Sequence, residues 1–213
     1  MDEGRFWALV VDIEPTVADD PLAFDEALSD ALVELPPSEV VAFANAWTRM
    51  ANRAFTWDLW AAAWLLRGDA FDWEFTGFRD RLIALGQTVY ERALADADSL
   101  ADIPIDWHDG EEGGDVWLSL AAADAYERLT GGDIADAEPA EEPEPLEPAG
   151  EPWSRLDEPE TRVPRILERT GPLELPELLP CPTCGHLTLA APDDDCDVCV
   201  DARPPRPWEI PRG

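Results

Sequence analysis

The stretch Thr56–Leu66, TWDLWAAAWLL, decides how the first two thirds of the chain fold. At about 100° per residue on a helix, Trp57, Trp60 and Trp64 share one stripe. Leu59, Ala62, Ala63 and Leu66 fall on the opposite side. A helix apolar on both sides is not a surface helix and has to be wrapped by neighbours. The stretch therefore predicts a central helix inside a small helical bundle. Thr56 stands where a cap would accept first-turn amides, and Gly68 where a helix stops.

Further helices are predicted on both sides of it. Phe6, Leu9, Val10 and Ile13 repeat at helical spacing. Asp20-Pro21 reads as a cap followed by proline at the first position, where its missing N–H costs nothing. Phe24, Leu28, Ala31, Leu32 and Leu35 share the face that follows. Pro36 and Pro37 end that helix, and Pro37 opens one striped by Val40, Phe43, Trp47, Met50 and Ala54. Asp72 starts a helix carrying Phe75, Phe78, Leu82 and Leu85, which Gly86 breaks before Val89, Tyr90, Ala93 and Leu94. Residues 106–115, DWHDGEEGGD, read as a loop. A last helix from Val116 places Leu118, Ala122, Ala125, Tyr126 and Leu129 on one side and stops at Gly131-Gly132. No segment sustains period-two alternation, so the class is mainly α, with a helical domain over residues 1–133.

Acids outnumber bases 47 to 15 in 213 residues, for a net charge of −32, and every base is arginine. Bases number eight against 28 acids in 1–133, four against 13 in 134–178 and three against six in 179–213. Phosphate binding needs a basic face, so nucleic acid and anionic membrane are disfavoured as partners. A protein partner is expected, and a basic one would be attracted. A solvated acidic surface, codon bias against lysine or a salt-adapted host gives the same composition. No apolar run reaches the roughly 18 residues of a membrane span. The opening MDEGRFWALVVDIEP lacks the basic start of a signal peptide. A cytoplasmic location follows, where four cysteines serve as thiols or metal ligands rather than disulfides.

Residues 134–178 change character. ADAEPAEEPEPLEPAGEP is proline, glutamate and alanine, and buries too little to offset its ordering entropy. It predicts a disordered, self-repelling tether. Val163, Ile166, Leu167, Leu173, Leu175, Leu178 and Leu179 leave open a docking of its second half on either module, with a turn of helix after Pro164.

Residues 179–213 carry CPTCGHLTLAAPDDDCDVC at 181–199. Cys181 and Cys184 form one C-x-x-C, and Cys196 and Cys199 form a second. Two such pairs present four thiolates tetrahedrally at about 2.3 Å from one zinc ion. Each pair folds into a tight knuckle, and Gly185 supplies a left-handed residue after the first. All four positions are cysteines, so the site is closed and structural. Redox work by a C-x-x-C expects a βαβ context, which is absent. His186 follows the first knuckle as an alternative ligand. The tail Arg203-Pro204-Pro205-Arg206-Pro207-Trp208 contains a P-x-x-P pattern.

Five stretches together resemble the bacterial family called domain of unknown function 4240. They are MDEGRFWA at 1–8, LPPSEVVAF, FTWDLWAAAWLL, FTGFRDRLIALGQTVYERALADADSLAD and AAADAYERLTG, covering about residues 1–131. The resemblance implies a helical fold and brings no assigned activity. The polar turn that follows the family's central helix, roughly Asn-Gly-Gly-Cys-Ser-Asp-Asp, reads here Arg67-Gly68-Asp69-Ala70-Phe71-Asp72-Trp73. Residues 179–200 resemble the bacterial cysteine-rich CPCC family through Pro180-Cys181-Pro182, Cys184-Gly185, His186-Leu187-Thr188-Leu189 and Cys196-x-Val198-Cys199. That resemblance implies a small zinc-binding module. Thr183 stands where the family has a further cysteine, and its Trp-Glu-Asp-Asp run is missing.

Catalytic signals are sparse. Asp58 is the one charge inside the apolar helix, and Arg79 lies on its neighbour. A buried Asp58–Arg79 pair is expected, since an unpaired buried carboxylate is costly. His108 reads as a solvated loop histidine, and the tryptophans as core or as the lining of a groove. The function that emerges is a non-enzymatic zinc-binding interaction or regulatory protein. The alternatives are an acidic, immunity-type antagonist of a basic partner such as a nuclease, and an enzyme with a site at Asp58 and Arg79.

Overall fold

Pro21 and Pro37 each occupy the first position of a helix, as their missing N–H allows. The computed structural model describes residues 1–11, 13, 21–67, 72–105, 107, 118–137, 145–152, 159–171, 179–180 and 187–188, to which the structural statements below refer. Helices α1 (Glu3–Val11), α2 (Pro21–Val33), α3 (Pro37–Arg53), α4 (Trp57–Arg67), α5 (Asp72–Ala84) and α6 (Gln87–Ala95) follow in order. A 3-10 helix (Ala97–Asp102), α7 (Leu118–Thr130), a short 3-10 turn (Ile134–Asp136), α8 (Pro159–Arg162) and α9 (Pro164–Thr170) complete the helical unit, Met1–Pro172. A separate unit, Leu173–Gly213, holds a minimal antiparallel pair, β1 (Leu179–Pro180) and β2 (Leu187–Thr188). No helix among the described residues is long and apolar enough to cross a membrane.

The predicted stripes become the core. Val40, Phe43, Trp47, Met50 and Ala54 are all buried, and Phe6 of α1 packs its ring 5.1 Å from Phe43 and 5.9 Å from Trp47. Phe24, Leu28 and Leu32 of α2 are fully buried, with α7 packed alongside through Ala121, Ala122 and Ala125. The α2–α7 seam is laced by polar side chains. Ser29 donates to Asp124, and Arg128 donates to Asp30 at 2.8 Å. Gly86 sits at φ 86°, in the left-handed region that favours glycine, so α5 and α6 are two helices and not one.

Helix α4 is wrapped from Leu59 through Leu66, except at half-buried Trp60. It shares the centre with α5, whose residues Phe78–Ala84 are buried without interruption, including Arg79, Asp80 and Arg81. Buried charge of this kind survives only with partners. Asp80 accepts a 2.7 Å hydrogen bond from the Trp47 indole, Arg79 donates to Thr76 and to the Ala51 carbonyl, and Arg81 lies over the Trp107 ring. The Tyr90 hydroxyl, which burial holds well above its usual pKa, donates to the Met50 carbonyl at 2.8 Å.

Part of the segment expected as a tether, residues 145–152, lies on the helical unit, and the docking left open for the second half, with a helix after Pro164, is found as α9. Residues 145–152 and 159–171 are docked on the helical unit, which runs on to Pro172. Val163 and Ile166 are fully buried against α4 and the 3-10 helix. The buried Asp98 carboxylate accepts from the Arg165 and Ile166 amides at 2.9–3.0 Å, which caps α9 from 67 residues away. Arg169 then donates to the Ala101, Ile103 and Ile105 carbonyls. Composition hides this because the burying surface and the cap both come from another part of the chain. Residues 138–144, 153–158 and 172–178 lie outside the described residues.

One carboxylate is held against its own chemistry. Burial pushes the Asp25 carboxyl up to about 6 from its ordinary 3.8, and its Oδ1 has no hydrogen-bond partner among the described residues. The folded state therefore binds this proton more tightly than the unfolded chain. The resulting penalty is absent below about pH 3.8 and complete above about pH 6. Asp25→Asn is expected to stabilise the protein by about 1 kcal/mol at pH 7, after allowance for the solvent screening of a half-exposed group. Urea unfolding of both proteins should show the difference shrinking as pH falls from 7 to about 4.5.

Candidate functional site

The start of α4 is fixed by Thr56, whose hydroxyl accepts from the Leu59 amide at 3.2 Å. That cap sets Trp57 and Trp60 on adjacent turns of one face. Their rings stack, with centroids 5.5 Å apart and planes at 13°. Trp60 stacks on Phe75 of α5 at 4.9 Å and 12°, and Phe55 lies 6.0 Å from both Trp60 and Phe75. The Arg79 guanidinium sits over Phe55 at 4.8 Å and over Phe75 at 5.2 Å, a cation–π arrangement that flattens the floor. The rings continue inward through Phe78, 6.0 Å from Phe75, to Trp107, 4.9 Å from Phe78. Trp57 and Trp60 stay half-buried, so the outer end of this aromatic row is a surface.

The chain's own proline-rich segment lies on that surface. Thr56 and Ala149 form an isolated parallel bridge, in which the Ala149 amide donates to the Phe55 carbonyl at 2.9 Å and the Trp57 amide donates to the Ala149 carbonyl at 3.0 Å. Pro145, Leu146, Pro148 and Pro152 form one wall of a cavity of about 680 Å³. Its other wall is Phe55, Trp57, Trp60, Thr76 and Arg79. The described tryptophans thus divide between the two roles expected of them. Trp7, Trp47, Trp64 and Trp107 are core, whereas Trp57 and Trp60 line a groove.

Asp58 and Arg79 are not brought together. Asp58 pairs with Arg162 of α8 at 2.5 Å and is 63% exposed, while Arg79 is 3% exposed. Asp58 borders a different cavity, of about 430 Å³, with Arg162. The helix geometry explains the separation: position 58 is roughly 160° around the axis from Trp60, whose face meets α5. The expected buried pair is therefore corrected, and a catalytic site built on these two residues loses its geometric basis. Sequence reasoning missed Ala149 and Arg162, the two residues that tie the strap to α4. The run of Glu-Pro dipeptides between 138 and 152 was the available signal, because prolines at short intervals hold a chain extended.

His108, His186 and the four cysteines lie outside the described residues. Pro180 pairs with Leu187 and Leu179 with Thr188, so the described strands flank the first C-x-x-C in sequence. Among the described residues, no group of three or more His, Cys, Asp or Glu side chains is placed to hold a metal.

No curated protein and no solved structure gives a significant match to the chain. One family model matches residues 1–128, a span that contains the aromatic floor of the groove but not the strap that lies across it. On that match the chain belongs to the family described as Protein of unknown function (DUF4240).

Proposed function

We propose that this protein is a non-enzymatic, zinc-binding interaction or regulatory protein. The observation that carries the zinc part is the register of the β pair. The antiparallel partners Pro180 and Leu187 stand on either side, in sequence, of Cys-Pro-Thr-Cys-Gly-His. Two C-x-x-C pairs are the ligand spacing of a structural zinc site. Cys181, Cys184, Cys196 and Cys199 supply four soft thiolates and no open position, a donor set that suits a structural ion. When bound, zinc cross-links a module with too few large apolar residues to hold itself together. The interaction part is supported by the aromatic groove and by the separation of Asp58 from Arg79.

Full-length protein purified under reducing conditions is expected to carry about one zinc equivalent. Less than about half an equivalent, with four thiols freely titrated, would overturn the zinc assignment.

The net charge of −32 favours a second reading, an immunity-type antagonist that covers a basic partner such as a nuclease. That reading requires salt-sensitive, saturable binding to the product of an adjacent toxin gene. A gene neighbourhood that lacks one in several genomes would remove it.

A further inference from the structure

We propose that the groove lined by Phe55, Trp57, Trp60 and Thr76 is a docking site for a proline-rich peptide of a partner protein, and that residues 145–152 occupy it in cis as an internal competitor. The seated segment identifies the class of ligand. It carries prolines at 145, 148 and 152, bends at 146–147 and at Gly150, and joins the start of α4 through the Ala149 backbone amide and carbonyl. Aromatic-lined grooves are how proline-rich segments are recognised, with backbone bonds setting direction. The stacked Trp57 and Trp60 rings, backed by the buried Phe75, offer the apolar platform for proline rings.

The cis segment is lightly held. Leu146 is fully exposed, and Pro145, Glu147, Ala149, Gly150, Glu151 and Pro152 are exposed as well. Beyond the two bonds at Ala149, its one further tie among the described residues is Arg162 to the Pro152 carbonyl at 3.4 Å. About 680 Å³ remains open between strap and floor, within the range of ligand sites. The next segment behaves differently. Val163 and Ile166 are buried and Asp98 caps α9, so the strap stays anchored at its C-terminal side when residues 145–152 lift away. A segment tethered this way competes at an effective concentration in the millimolar range. Electrostatics selects the source of the peptide. A second copy would bring −32 against −32, and the helical domain opposes 28 acids with eight bases, so a proline-rich peptide of low negative charge is preferred over this chain's own glutamate-rich one.

The test uses the full chain with Ala149→Pro, which removes the amide that donates to Phe55 and frees the groove. Two synthetic peptides serve as probes, the sequence of residues 142–152 and the same sequence with its four glutamates replaced by glutamine. By calorimetry, the variant should bind the glutamine peptide at one site, about tenfold more tightly than wild type does. The glutamate peptide should bind more weakly, with the gap narrowing in salt. Trp57→Ala in the Ala149→Pro background should lose tenfold or more, and a peptide with alanine in place of its prolines should not bind. Pro145→Ala with Pro148→Ala provides a second opened variant with the same expectation, should Ala149→Pro fail to fold. Opened variants that bind no better than wild type, or a proline-free peptide that binds equally well, would overturn the proposal. So would a concentration-dependent wild-type dimer abolished by Ala149→Pro, which would make a second copy the occupant.

Discussion

Cys181→Ser combined with Cys184→Ser should reduce bound zinc from about one equivalent to a small fraction of one, measured by elemental analysis of the full-length protein. Two of four thiolates cannot hold a closed tetrahedral site. The expected effect is the largest in the molecule. Zinc binding of this kind contributes on the order of 10–16 kcal/mol, which is folding free energy for a module short of large apolar residues. Hydrogen exchange across residues 173–213 should accelerate to near-unfolded rates, in the substituted protein and equally in wild type treated with chelator. The thermal transition of Met1–Pro172 should not move, because its core is its own. A C-terminal unit equally protected with and without metal would refute the zinc assignment.

Phe78→Ala should cost about 3–5 kcal/mol, the range for deleting a buried aromatic ring. Phe78 is fully buried on α5 and links Phe75 at 6.0 Å to Trp107 at 4.9 Å. Its loss would leave a cavity between the groove floor and the inner core. Against a typical total of about 5–15 kcal/mol, that loss is a large share of the protein's stability. Thermal unfolding followed by circular dichroism should show a drop of roughly 6–20 °C. Phe78→Leu refills most of the space and should cost well under half as much. If alanine and leucine prove equal, the ring contacts at this position do not carry the packing assigned to them.

The helices of residues 1–130 were legible because their signals are local. Proline at 21 and 37, the hydroxyl of Thr56 and the glycines at 86 and 131 act within one turn of where they stand. The buried stripe of α3 was readable for the same reason: period 3.6 is a property of neighbours in sequence. The central position of α5 was not, since Arg79 was expected to pair with Asp58, whereas the partners of Arg79, Asp80 and Arg81 come from Trp47, Thr76 and the aromatic rings.

The cysteine spacing, the acid excess and the helix boundaries belong to the sequence by itself, because each depends on residue types within a short window. The pairing of Asp58 with Arg162, the capping of α9 by Asp98 and the laying of Ala149 along Thr56 were decided by the tertiary structure alone. In each case the partner lies 67 to 104 residues away or meets the chain through its backbone. A polar segment looks unable to fold when its own apolar content is counted. It orders nonetheless where a preformed surface supplies the burial and a distant carboxylate satisfies its amides.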